Sequence, residues 1–455
     1  MQNKFLSKLV IGLTFFTLLL VQGYSYSQIT STSPFSSYGL GQRDGLDHGI
    51  YAGLGTTTIT YFDSTNLNFF NPASYNTIGK GQPIFSTGVS SRLSWYSDSL
   101  TQNFSKAILL NHFAMGFSFA KHFGFTFGLK PFSRRGYQFS TKSLLVSDSM
   151  GYSYTGSGST SEVFIGVSSN ILKLKSSQLS IGGNFGYVFG SLINEKRSYL
   201  LGTNSGGIEQ KVLKIKGVHY ELGMFFRHNI NKNNSFIFSA VVEPNQNINA
   251  SQTDDLFYAS SFGKISLYNK LDSSSTSGSV SITPSSTFGF CYIFGYKGFE
   301  KSKMAKDSEL SFHASYNITN YKDNPTKFSG VNLYSNYINT NKLTIGVQYI
   351  PNKMFFDHTK KSNPFEILRY RVGYYQYNLP MTINSKTLND KGITLGIGIP
   401  LKGQKSLSSI NFGLTYGKRG DGTNLGLNEK YIGANLSIVF APASFERWFV
   451  KRKLD

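Results

Sequence analysis

The 455-residue chain has a single cysteine, Cys291, so no intramolecular disulfide can staple it. Charge is also scarce. Only 15% of residues are charged, and acidic residues are the rarer kind, 24 against 45 basic, for a formal net charge of +21. Beyond residue 27 no stretch reaches the roughly eighteen consecutive apolar residues of a membrane-spanning helix. These absences exclude a disulfide-rich secreted scaffold and a helical membrane protein. A basic excess of this size raises the question of nucleic acid, but the basic residues are scattered over loops and strand ends rather than gathered on one face. No nucleic-acid partner is expected, and no spacing implies a metal or cofactor.

The first 27 residues have the three parts of a secretory signal peptide. Lys4 and Lys8 form a positive start, Leu9 to Val21 an apolar core, and Ser25-Tyr26-Ser27 a small-residue site before Gln28. No cysteine follows the apolar core, which excludes the lipoprotein route. The expectation is an exported chain.

What the remainder has in abundance is glycine and aromatics, with 46 Gly, 39 Phe and 28 Tyr. They are arranged with a period of two. In "NHFAMGFSFAKHFGFTFGLKPFSRRGY" (111–137), Phe113, Met115, Phe117 and Phe119 share one parity, and Ala114, Gly116, Ser118 and Ala120 the other. Phe125, Phe127 and Leu129 alternate with Thr126, Gly128 and Lys130. The same alternation predicts strands near 83–96, 105–120, 122–140, 161–175, 177–199, 210–228, 235–250, 281–296, 308–320, 342–351, 365–378, 391–401, 407–417 and 430–440. Connections alternate too: short near 121, 176 and 229–234, long at 141–160, 200–209 and 251–280. The extended stretch 255–270 would break this parity as a further strand and is assigned to an external loop.

A series of soluble β-sandwiches also alternates. The membrane reading is favoured by the low charge on both faces, the lack of linkers over some 360 residues, and strands that meet the roughly 9–11 residues a tilted spanning strand needs. Closure would also remove edges that lipid cannot satisfy. The expected fold is all-β: a transmembrane antiparallel β-barrel of about 14 strands over residues 81–440. It carries an N-terminal segment, 28–80, in its lumen, and a basic periplasmic tail, 441–455, follows. Phenylalanine would face acyl chains, and glycine and serine a crowded interior. Outer-membrane lipid is then an expected partner, at the aromatic belt and at the tail with Trp448, Phe449 and Lys451.

Ser36-Ser37-Tyr38-Gly39-Leu40-Gly41, followed by Asn71-Pro72-Ala73, opens a series of motifs. It continues with "GLKPFSRRGY" (128–137), "YVFGS" (187–191), "IGVQYIPN" (345–352) and "GITLGIGIPL" (392–401). In order and spacing this series resembles the FadL/TodX family of outer-membrane transporters for long-chain fatty acids and aromatic hydrocarbons. The resemblance implies a fourteen-stranded barrel plugged by an N-terminal hatch that includes Gly39, Gly41, Asn71, Pro72 and Ala73. The segment 45–68 and the tail past Phe440 depart from that pattern.

Several residues suggest chemistry. Gly39, Gly41 and Gly45 lack the strand and helix of a phosphate loop and suit tight packing instead. Ser311 and His313 share an inward parity, as in barrel lipases, but no orienting carboxylate is apparent. His219 and Glu221 share a face, too few ligands for a metal. No enzyme is expected. Lys130, Arg227, Arg369 and Arg371 fall on the polar parity, and under the resemblance they are candidates to bind a ligand carboxylate. The alternative pairs such cations with Asp44, Asp47 or Asp63. The function expected first is passive uptake of hydrophobic small molecules such as long-chain fatty acids; the alternative is a non-transporting barrel that is a subunit or scaffold of a larger outer-membrane complex.

Overall fold

The computed structural model describes residues 33–43, 49–79, 82–97, 102–119, 122–144, 149–200, 202, 205–260, 268–297, 307–334, 336–353, 363–383, 385–401, 407–420 and 426–442. The signal peptide, Asp44, Asp47 and the tail from 443 lie outside them.

Fourteen antiparallel strands form the wall: β1 (Ile84–Ser97), β2 (Gln102–Ser118), β3 (Phe123–Arg134), β4 (Ser149–Lys173), β5 (Ser177–Leu200), β6 (Gly206–Asn229), β7 (Asn234–Glu243), β8 (Ser285–Lys297), β9 (Asp307–Thr319), β10 (Thr340–Ile350), β11 (Arg369–Ile383), β12 (Lys386–Pro400), β13 (Ser409–Gly420) and β14 (Asn428–Phe440). Each pairs with the next, and β14 returns to β1 through Phe85–Phe440 to Ser97–Asn428, closing the barrel. Closure matters because lipid offers no hydrogen bonds to a free sheet edge.

Side-chain parity follows the pleat. Phe113, Phe119, Phe127, Val163, Ile165, Val167, Phe312, Tyr316, Leu395 and Tyr416 are exposed on the outer face. Ala114, Thr126, Ser311, His313 and Ser315 are buried on the inner one. On β4 the apolar outward run ends at Val163, and Ser161, Ser159 and Ser157 continue the same parity above it. An apolar outer belt on a closed barrel places the protein in the bacterial outer membrane.

Several expected boundaries need correction. The stretch 122–140 is two strands, β3 and Tyr137–Leu144, and the second pairs only with the upper part of β4. The stretch 235–250 breaks at Glu243, after which Gln246–Ala259 continues upward beside β6. Residues 255–270 are not simply a loop: Gln246–Ala259 and Tyr268–Ile282 form a hairpin, paired from Gln246–Ile282 to Ala259–Tyr268. Much of 141–160 is strand as well. Polar Ser, Thr, Gly and Tyr extend these ladders beyond the apolar belt, where water can satisfy either face.

Residues 33–43 and 49–79 pack against the inner wall. A helical turn, Gly49–Ala52, rests on β12 to β14, and the 3₁₀ segment Pro72–Thr77 rests on β2 to β6. The wall makes room with inward glycines. A Cβ at Gly373 would lie 2.1 Å from the Gly55 nitrogen, and one at Gly182 would lie 2.4 Å from the Pro72 carbonyl oxygen. Leu67, Phe69, Tyr75 and Ile78 join Ile84, Ala114, Phe164 and Val439 in a continuous core. At about 25 cal/mol per Å² of buried apolar surface, each such large side chain contributes roughly 1.5–3 kcal/mol.

One seam departs from a uniform wall. The β2–β3 ladder runs from Ser118–Gly124 to Phe113–Leu129 and stops there. Above that point β3 stays with β4 and takes Gln42–Arg43 on its other side. Arg134 donates across the seam to the Leu110 carbonyl oxygen at 3.2 Å.

Candidate functional site

The barrel interior holds a cavity of about 390 Å³ lined by wall and N-terminal residues together. Its lining is dominated by charged and hydroxyl-bearing side chains, which parity explains: on each strand the polar set points inward.

One charged cluster joins β3, β4, β6 and β7 to the N-terminal segment. Lys130 Nζ lies 3.2 Å from Glu221 Oε1 and 3.5 Å from Glu162 Oε2. The His219 ring bridges two carboxylates, with Nδ1 3.0 Å from Glu162 and Nε2 2.8 Å from Glu243. Arg43 donates to both oxygens of Glu243 at 2.8 and 2.9 Å, and its guanidinium lies 4.5 Å from the centre of the Phe132 ring. Glu221 also accepts from Asn184, whose carbonyl accepts from Tyr75 Oη at 2.6 Å.

A second cluster closes the opposite side. Arg419 donates through Nε and Nη2 to Asp390 at 2.9 and 2.7 Å, and its Nη1 lies 3.6 Å from Glu429. Glu429, fully buried, accepts from Arg92, Ser94 and Ser33 at 3.0, 2.8 and 3.0 Å. Tyr431 donates to Asp390 at 2.7 Å and stacks beneath Arg92 at 3.6 Å. Buried charge is tolerated only when paired and hydrogen-bonded, and both clusters meet that condition.

The four cations selected from the sequence do not share a site. Lys130 alone lines the cavity, and two carboxylates already hold it. Arg369 pairs with Asp63 at 3.0 Å, one of the alternatives weighed above. Arg371 donates to Gln348 at 2.7 Å and to Asn411 at 3.0 Å. Arg227 reaches Ser235 at 3.5 Å. Sequence reading missed Arg92, Arg419, Asp390, Glu429, Glu162 and Glu243. The available signal was the inward parity of the carboxylates: an inward Glu in a membrane barrel needs a cation.

Gly39 and Gly41 adopt positive φ, +49° and +87°, and a Cβ on Gly41 would lie 2.3 Å from the Arg134 carbonyl oxygen. Asn71 caps the Pro72–Thr77 segment by accepting from the Ala73 nitrogen at 3.1 Å, while its amide donates to Ile59. Pro72 and Ala73 lie in that same segment, against the wall. Ser311 and His313 do meet, at 3.0 Å, with Thr60 at 3.0 Å from the other ring nitrogen and Cys291 at 3.9 Å. All are buried and none lines the cavity. His219 and Glu221 do not converge on a common point: the ring faces Glu162 and Glu243 instead.

Closed fourteen-strand wall, lumenal N-terminal segment and outer apolar belt together define a plugged fourteen-strand outer-membrane β-barrel. Solved structures agree. A FadL homologue from Pseudomonas aeruginosa matches 88% of this chain and 99% of its own at 11% identity, TM-score 0.54. The toluene transporters TbuX of Ralstonia pickettii and TodX of Pseudomonas putida match at 10% and 13% identity, each with TM-score 0.51. TbuX aligns over 88% of this chain and 100% of its own, and TodX over 91% and 99%. No curated protein sequence matches. The chain belongs to the BamG family, whose model matches residues 8–455.

Proposed function

We propose that this barrel is a non-transporting subunit or scaffold of a larger outer-membrane complex, its lumen filled by the N-terminal segment acting as a fixed plug. One observation carries the reading. The cavity-lining cations Arg43, Arg92, Lys130 and Arg419 are held by carboxylates of the protein itself, in two clusters that also bind the plug through Arg43 and Ser33. A pocket for hydrophobic small molecules is mainly apolar with a few converging polar groups. This cavity instead carries paired charged groups from two clusters in its lining, beside apolar residues such as Phe35, Ile59, Leu109 and Phe132. A ligand carboxylate that took one of these cations from its partner would leave a buried charge alone, at a cost of roughly 3–5 kcal/mol. Membership in the BamG family supports association with other outer-membrane proteins.

A second reading, passive uptake of hydrophobic molecules, draws on one feature. The cavity reaches Ala107 and Leu109 at the seam between β2 and β3, a lateral way into lipid. Liposomes containing the purified protein distinguish the two. The scaffold reading expects entry of labelled oleate and toluene no faster than into protein-free liposomes. Saturable uptake, slowed by filling the seam with Ala107→Trp, would establish the transporter instead.

A further inference from the structure

Above the apolar belt the wall becomes an open sheet. Its strands run, in order, Tyr137–Leu144, the upper parts of β4, β5 and β6, Gln246–Ala259 and Tyr268–Ile282. A closed barrel has no edges, but this extension has two. The first, Tyr137–Leu144, pairs with Ser149–Gly156 on one side, and among the described residues no strand pairs with its other side. Residues 138–143 are exposed throughout. At about 3.3 Å per residue the strand offers an unpaired ladder some 25 Å long.

Exposed edges are templates for pairing, and proteins that do not use them protect them with proline, bulges or covering loops. Within 137–144 neither proline nor a bulge occurs, and the one charged residue, Lys142, bars pairing with a basic strand but not with an acidic one. The strand is instead furnished for recognition. Phe139, 41% exposed, stacks between Tyr137 and Tyr154, at centroid distances of 5.5 and 5.1 Å. An added strand would lay alternate side chains on this ring array while its backbone completes the ladder.

The local charge defines the partner further. Glu195 pairs with Arg197 and Glu209 with Lys211, so these cancel. Lys142 on the edge strand and Lys196, opposite Tyr154, have no carboxylate within ion-pair distance among the described residues. We propose that the Tyr137–Leu144 edge docks an extended, acidic segment of a partner protein, which adds to the sheet as a further β-strand. The inference rests on the scaffold reading and assigns that reading a surface.

Hydrogen exchange on the tagged protein tests it, comparing the native assembly with the barrel stripped of its partners by salt and detergent. The amides of 138–143 should slow at least tenfold in the assembly, while those of the second edge, 268–278, do not change. Alternate amides face outward, so of Ser140→Pro and Thr141→Pro one removes an outward donor. That variant should keep its heat-modifiable gel mobility and retain less than a tenth of the co-purifying partner, and Lys142→Glu should weaken retention in high yield of folded barrel. An assembly whose 138–143 amides exchange as in the stripped barrel overturns the edge proposal and leaves the scaffold reading standing. Purification of the barrel alone from native membranes overturns both.

Discussion

On one side of the barrel β4, β5 and β6 run for 25, 24 and 24 residues; on the other β12, β13 and β14 run for 15, 12 and 13. A spanning strand needs roughly 9–11. The low side stops near the rim, and its inner face is occupied by the N-terminal segment, with Gly49–Ala52 seated on it. The tall side carries its ladders on as a polar sheet in water. One pleat serves two environments, and what changes between them is the outward residue: Val, Ile and Phe in lipid, Ser and Thr above it. The low side is held by what it encloses; the tall side packs on Pro72–Thr77 at its base and is held above that by its own ladders.

The largest difference should come from added bulk. Gly373→Val, on the inner face of β11, places atoms on the Gly55 backbone, which cannot move without displacing the segment. Most of that protein should fail to reach the heat-modifiable folded form in gels. Gly207→Val on the tall side meets only Ser198 Oγ at 3.3 Å and should fold normally. Equal tolerance of both would remove the claim that the enclosed segment sets the low wall.

Next comes charge. Arg419→Ala leaves Asp390 and Glu429 buried without their shared cation, a loss of about 3–5 kcal/mol that thermal unfolding in detergent should register. Lys270→Ala on the tall hairpin removes a solvent-facing partner of Asp255 and should leave the midpoint where it is. A comparable drop in both would mean that the two regions share one kind of stabilisation.

The wall was legible in the sequence because period-two alternation of apolar residues reports lipid on one face. That signal located all fourteen strands, and it failed where the strand had water on both sides. Residues 149–160 and 268–280 are mostly polar, with only Met150, Leu271 and Val280 as aliphatic exceptions, so pairing there was invisible to an apolar criterion. The interior was harder. Lys130 and Arg371 were recognised as inward, but their partners lie at sequence separations of 32 to 91 for Lys130 and 23 to 40 for Arg371, and parity does not fix the register that sets Lys130 beside Glu162 and Arg371 beside Gln348. Asp63 was named as an alternative partner for such cations, and Arg369 is where it pairs.

A smaller effect sharpens the account of the enclosed segment. Burial alone would raise the Asp63 carboxyl, yet Arg369, with donors from Thr65 and Asn66, holds it below its ordinary range. A depressed folded value means that its contribution is present above the unfolded pKa near 3.9 and is lost as pH falls through the folded one. The midpoint difference between wild type and Asp63→Asn should therefore be constant from about pH 7 to 5 and shrink below about pH 4. A difference that persists unchanged at pH 3 would show that the ion pair is not what the asparagine removes.

The most direct test of the central claim is native mass spectrometry of the protein extracted gently from its own outer membrane. The account predicts the barrel in stoichiometric assembly with other outer-membrane proteins, with no hydrophobic small molecule held in its lumen. A solitary barrel that carries a bound fatty acid or hydrocarbon would contradict it.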